Sequence, residues 1–277
     1  LKHSENLVSK FIVSANTAGE YENYDIRGAY SLFSLDKYEG TENQPDTLLN
    51  AGVGSWLSHA RNSYRSRTAT ASYRGSVNSG KNGLDRGATA SYREYNSSRN
   101  EWLRVDSADF TLRDTNEGLA LSSRTDLSLN AVSFTAAGWV MSRTAFLLAG
   151  RSSSLNAGIR ATYDTYSTEL LVAPRLSLRT ELSRDLSVYI AAGAYHQPPG
   201  GRELMPGVTT DPVRLKAQRS YHLTAGARYG FTAWNRPFRF TAEAWGKKFD
   251  RLIPYQVDNV RVVYYSGNTA KGYAAGL

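Results

Sequence analysis

The sequence predicts an all-β fold: an antiparallel transmembrane β-barrel, to which this chain contributes one part. Three observations predict it. First, apolar and polar or small residues alternate with a period of two in runs of roughly ten residues, the length a tilted strand needs to cross a bilayer. Second, the connections between the later runs alternate between short and long, as in barrels with tight turns on one side of a membrane and long loops on the other. Third, mean hydropathy is only −0.45 and the chain has no run of 18 apolar residues, which excludes a spanning helix. A barrel keeps mean hydropathy low because only every second residue meets lipid.

The clearest runs lie between Leu186 and Phe249. Leu186, Val188, Ile190, Ala192 and Ala194 alternate with Ser187, Tyr189, Ala191, Gly193 and Tyr195. Leu223, Ala225, Ala227, Tyr229 and Phe231 then oppose Thr224, Gly226, Arg228 and Gly230. Phe238, Phe240, Ala242 and Ala244 oppose Arg239, Thr241, Glu243 and Trp245.

From the N-terminus, a weak run over Leu7–Ala15 precedes a clearer one over Tyr24–Leu32. Asp36 to Leu49, with Gly40 and Pro45, reads as a long polar loop. Glu20 to Asp46 holds seven acids against two bases, and Arg61 to Arg104 inverts the balance with nine bases and three acids. Within the basic stretch Thr68–Gly75 and Ala88–Tyr95 alternate around Lys81-Asn82-Gly83, a hairpin signal. Ser107 to Gly118 reads as a loop, and Leu119–Asn130 and Ala131–Met141 as strands. Leu155–Asp164 is followed within a few residues by Leu170–Arg179, where Pro174 lacks a ladder donor and calls for a local bulge. Residues 181–185 and 232–236 are short connections; 198–218 and 250–268 are long ones, placed outside the cell.

Composition fits an envelope protein. Cysteine is absent, so there is no disulfide frame and no thiol chemistry. Tyr occurs 18 times against 9 for Phe, and Tyr rings favour membrane interfaces. The net charge of +8 is dispersed along alternating strands with no compact basic helix, which disfavours nucleic acid and points the arginines to a wet lumen or surface. The opening Leu1-Lys2-His3 is not a signal peptide, and Gly272–Leu277 looks like the start of a further strand, so the chain is expected to be internal to a longer protein.

Chemistry-bearing motifs are few. His3, His59, His196 and His222 have no zinc spacing. No phosphate loop, dinucleotide fingerprint or nucleophile elbow occurs. Ser220 and His222 would share one strand face, but an enzyme is not expected: no catalytic residues, no metal and no cofactor are assigned. Parity projects Arg160, Arg175, Arg179, Arg228 and Glu243 from the polar face. With Arg202 and Glu203 of the 198–218 loop they are the candidate substrate-binding residues, although pairing across strands and ordering of the loop are competing roles for them.

An ordered series of blocks resembles the barrel of TonB-dependent outer-membrane receptors of the Bacteroidota type. The series runs through Tyr24-Asp25-Ile26-Arg27-Gly28, His59-Ala60-Arg61-Asn62, Glu101-Trp102, Asp106-Ser107-Ala108 and Ala173-Pro174-Arg175. It continues with Gln197-Pro198-Pro199-Gly200-Gly201-Arg202-Glu203-Leu204, Leu215 to His222, Arg236-Pro237-Phe238, Asp250 to Tyr255, Val257 to Val262 and Lys271 to Gly276. The family tends to carry aromatic residues after Pro-Pro, where this chain has Gly200-Gly201. The resemblance implies a 22-stranded barrel closed by a plug that this chain does not contain, with residues 1–277 forming part of the barrel domain. It implies active uptake of a nutrient or chelate across the bacterial outer membrane. The partners it implies are TonB–ExbB–ExbD through the plug, outer-membrane lipid and a small substrate, with no nucleic acid. The alternatives are a passive porin-like or structural barrel and a soluble β-rich binding module.

Overall fold

The computed structural model describes residues 2–4, 7–36, 47–106, 121–205, 215–258 and 261–277. Among them there is no helix, and thirteen strands follow one another: β1 (Lys2–Ser4), β2 (Leu7–Asp36), β3 (Thr47–Ser79), β4 (Asn82–Asp106), β5 (Ser123–Leu148), β6 (Arg151–Asp164), β7 (Glu169–Glu181), β8 (Leu186–Gln197), β9 (Gln218–Ala233), β10 (Arg236–Leu252), β11 (Tyr255–Asp258), β12 (Arg261–Tyr264) and β13 (Ala270–Gly276). One eleven-stranded sheet takes β1 to β10 in chain order and ends on β13, while β11 and β12 form a separate hairpin. The pairs from β5 to β10, and β10 with β13, are antiparallel.

The turns are chemically legible. Trp234 and Asn235 join β9 to β10 with φ of 48° and 58°, the left-handed pair of a two-residue hairpin turn whose twist matches the strands. Ala149 and Gly150 do the same between β5 and β6. Between β3 and β4 the turn residues are Gly80, at φ 56°, and Lys81. The turn thus falls two residues before the expected Asn82-Gly83, because Gly80 supplies the left-handed backbone.

Two strand expectations are corrected. Leu7–Ala15 and Tyr24–Leu32 belong to one 30-residue strand, β2, and the two runs around residue 130 merge into β5. No Pro or turn pair separates them, so fading of the apolar alternation did not mean a break. At about 3.3 Å per residue, β2 to β5 far exceed a bilayer's thickness, and residues beyond it need no apolar face. Pro174 sits in unbroken register opposite Ile159, with no bulge on that side; the β7–β8 ladder begins one residue later, at Arg175 opposite Gly193. The missing proline donor therefore falls beyond that ladder. The loop expected over 107–118 lies outside the described residues. Of the 36–49 loop, Asp36 ends β2 and Thr47–Leu49 begin β3; the remainder is likewise outside them.

The described chain forms two compact units, whose boundary cuts β2 to β5: Leu1–Thr17, Arg67–Glu94 and Ala131–Leu277 in one, Ala18–Ser66 and Tyr95–Asn130 in the other. In the first unit the expected faces are inverted relative to a soluble sheet. Along β5, Val132, Phe134, Ala136 and Val140 are exposed while Ser133, Thr135 and Ala137 are buried. On the neighbouring strands Leu170 (67%), Leu176 (52%), Leu223 (55%) and Phe240 (62%) are exposed, whereas Leu171, Ala173 and Ser187 are buried on the opposite face. From β5 to β9 the apolar face is the more exposed one and the opposite face the more covered, while on β10 both faces are exposed from Arg236 to Ala244.

The second unit is held by polar clusters. Asp25 binds His59 Nδ1 and Arg61 Nη2, each at 2.5 Å. Trp102 stacks on the His59 ring at 4.7 Å, and Asn62 donates to Glu22 (2.9 Å) and Glu101 (2.7 Å).

Candidate functional site

The polar face of β5 to β10 and the two described ends of the 198–217 connection, 198–205 and 215–217, form the candidate site. The connection leaves β8 through Pro198-Pro199, and Gly201 is buried in the turn that follows. Glu203 organises this turn: Oε2 accepts the Gly200 N–H at 2.8 Å and Oε1 accepts from Gln218 Nε2 at 2.9 Å. Glu169 binds the other end of the connection, accepting the Ala217 N–H at 2.7 Å and Arg251 Nη1 at 3.1 Å. Asn268 accepts the Lys216 N–H at 2.7 Å and donates to the Arg251 carbonyl at 2.8 Å. Leu204, Met205, Leu215, Ala217 and Ile253 are buried here, so both sides of the connection carry a small apolar core under a polar lattice. Burial, followed by the charge of Arg219, holds His196 below the usual histidine range.

At the same end of the sheet, Asp164 terminates β6 and is almost completely buried. Its Oδ1 accepts from Ser133 (2.8 Å) and Thr135 (3.0 Å), and its Oδ2 from the Ser167 N–H (2.9 Å) and hydroxyl (3.0 Å). Burial pushes this carboxyl up, but the four donors outweigh it and hold the group below its usual value.

On the polar face the strand registers align a transverse row. Gly158 lies opposite Arg175, Arg175 opposite Gly193, Gly193 opposite His222 and His222 opposite Lys247. A Cβ at Gly193 would come within 3.1 Å of the Tyr195 ring, so the missing side chain makes room for it. The ring meets the Arg175 guanidinium, 4.7 Å from its centroid, and the His222 ring, tilted by 31° at 4.4 Å. Beside this row a cavity of about 520 Å³ is lined by Lys10, Arg74, Asp85, Trp139, Arg160 and Arg175 among others.

The sequence-derived candidates fall into two groups. Arg160 and Arg175 meet at this cavity. Arg179 bonds to Glu181 Oε1 at 3.0 Å and Ser187 at 3.1 Å, and Glu243 accepts the Tyr189 hydroxyl. Arg228 lies opposite Ser187, with a buried Nε that has no partner among the described residues. Arg202 is exposed in the turn that Glu203 orders. Sequence reasoning missed Lys10, Tyr195 and Lys247. Parity places each on a face, but only the register shows which of them become neighbours.

Ser220 and His222 do share a face, with Oγ to Nε2 at 2.5 Å. Among the described residues no carboxylate hydrogen-bonds the other ring nitrogen, so the third member of a nucleophilic triad is not found. No group of three or more metal-binding side chains occurs among the described residues.

No family model matches the chain, and no curated protein matches it. Solved structures do. The outer membrane transporter YddB from Escherichia coli superposes with a TM-score of 0.51 at 11% identity, over 96% of this chain and 42% of that one. The siderophore receptor PirA from Pseudomonas aeruginosa gives 0.44 at 14% identity, over 99% of this chain and 54% of that one. The RagAB peptide transporter gives 0.44 at 13% identity, over 97% and 31%. The likeness to YddB is one of fold: the chain is an antiparallel sheet of the outer-membrane barrel type, spanning less than half the length of that transporter.

Proposed function

We propose that this chain is part of the β-barrel of a TonB-dependent outer-membrane transporter, which takes up a nutrient or chelate across the bacterial outer membrane. The outward apolar face of β5 to β10 carries this reading. Leu170, Leu176, Leu223 and Phe240 are each more than half exposed, and full burial of such side chains in an apolar medium gains roughly 1.5–3 kcal/mol each. Lipid supplies that medium without covering the polar face, which then lines an aqueous interior. The barrel fold shared with YddB and the ordered sequence blocks support the same reading.

On this reading TonB–ExbB–ExbD drives uptake through a plug outside this chain. Transport is the activity on this reading, and the Ser220–His222 pair is given no catalytic role in it. Substrate meets the 198–217 connection first, at Arg202, and then the polar face at Arg160, Arg175 and Arg228. Glu203, Arg179 and Glu243 shape those surfaces through their protein partners.

The test is nutrient uptake by cells that make the full-length protein, with and without TonB. Loss of uptake without TonB is the expected result. Uptake that persists without TonB would instead make the barrel a passive channel, and a protein recovered as a soluble periplasmic monomer would refute both.

A further inference from the structure

At one cavity on the polar face positive charge is concentrated and, among the described residues, without ion-pair partners. Lys10, Arg74, Arg160 and Arg175 line one cavity of about 520 Å³ together with a single carboxylate, Asp85. That carboxylate is already engaged: Oδ1 accepts from Ser76 at 2.6 Å and Oδ2 from Arg143 Nη2 at 2.7 Å. Among the described residues none of the four cations takes part in an ion pair. Arg160 holds only the Thr162 hydroxyl at 3.3 Å, through Nε, and Arg175 rests on the Tyr195 ring. Both guanidinium groups therefore keep donors for a ligand.

The cations stand on strands, so their spacing is fixed by the ladder and not by a mobile loop. Cations brought together on a half-buried face repel one another, and an anion placed among them relieves that repulsion while accepting several charge-assisted hydrogen bonds. Beyond the cavity the row continues through His222, two strands from Arg175, to Lys247, three strands from it. That extension suits an anion with more than one charged group.

We propose that this cavity binds a multivalent anion, with carboxylate or phosphate oxygens held by Arg160 and Arg175 and further neutralised by Lys10 and Arg74. The proposal rests on the transport reading in one respect: the ligand is a soluble solute that reaches the polar face through the barrel interior. Tyr195, which meets both Arg175 and His222, positions the Arg175 guanidinium.

The experiment is equilibrium binding to the intact full-length protein in detergent, by titration calorimetry with citrate and with tripolyphosphate, using uncharged trimethyl citrate for comparison. Folding of every variant is checked by heat-modifiable migration. At least one of the two anions should bind, weaken as salt is added, and lose about tenfold or more in affinity in the Arg160→Gln/Arg175→Gln double variant, one lost charge-assisted contact sufficing for that change. Arg124→Gln, whose wild-type partner is Asp126, should bind as the wild type does. Absence of binding by both anions, equal binding by the double variant, or equal binding by trimethyl citrate would overturn the proposal. Binding needs no energy source, so TonB-independent uptake would sink the active-transport reading and leave this result standing.

Discussion

The Glu203 carboxylate closes the Pro198–Met205 turn on itself by accepting the Gly200 N–H at 2.8 Å, while its second oxygen takes the Gln218 amide at 2.9 Å. One side chain thus joins the start of the long connection to the first residue of β9. Glu203→Ala removes both acceptors and leaves the Gly200 N–H without this partner, a cost of about 1–3 kcal/mol. Limited proteolysis of the full-length protein should cut within 198–217 faster in this variant, with the barrel's heat-modifiable migration unchanged. Glu203→Gln keeps one carbonyl acceptor and should fall between the two. Equal cleavage of the wild type and Glu203→Ala would show that the buried core around Leu204 and Leu215 orders the connection by itself.

Asp164 makes the β6–β7 turn acid-sensitive. Its folded-state pKa lies below its ordinary value, so the stabilisation it gives is fully present above the unfolded pKa of about 3.9. It is lost as pH falls through the lowered folded value. Asp164→Asn should cost about 1–3 kcal/mol at neutral pH and flatten the acid limb of an unfolding-versus-pH curve. An unchanged acid limb in that variant would remove Asp164 from the account.

Gly226 is required by its neighbour. A Cβ there would lie 2.5 Å from the Tyr189 ring, whose hydroxyl donates to Glu243. Gly226→Ala should displace the ring, break that hydrogen bond and cost roughly 1–3 kcal/mol in urea unfolding. In a Tyr189→Ala background the same change should be nearly free. A full cost in both backgrounds would place the clash elsewhere.

The fold was legible wherever composition and period agreed. The alternation at Leu223–Phe231 assigned both faces correctly, and the register sets Phe238–Ala244 beside it with the same parity, because parity alone decides which residues share a face. The two-residue turn at Trp234-Asn235 fell inside the expected short connection. What parity cannot supply is strand length and register. β2 and β5 run on through residues with no apolar stripe, since a strand beyond the bilayer can be polar on both faces. The candidate site was half legible for the same reason. Arg160 and Arg175 were assigned to the polar face from sequence, but Lys10 and Arg74 joined them only through the pairing of distant strands. The competing roles weighed for Glu203 included loop ordering, and its contacts are of that kind.

The most direct test of the central claim is which face of the sheet meets lipid. The chain has no cysteine, so single cysteines can be introduced in turn along β9 from His222 to Tyr229 in the full-length protein and spin-labelled in a bilayer. Collision with oxygen, which partitions into lipid, should be high at 223, 225, 227 and 229. Collision with a water-soluble nickel chelate should peak at 222, 224 and 228 wherever the interior admits it, and stay low at the odd positions; Gly226 is left unlabelled because a Cβ there meets the Tyr189 ring. A chelate maximum at Leu223, Ala225 and Ala227, or no period of two in oxygen access, would contradict a membrane-spanning barrel.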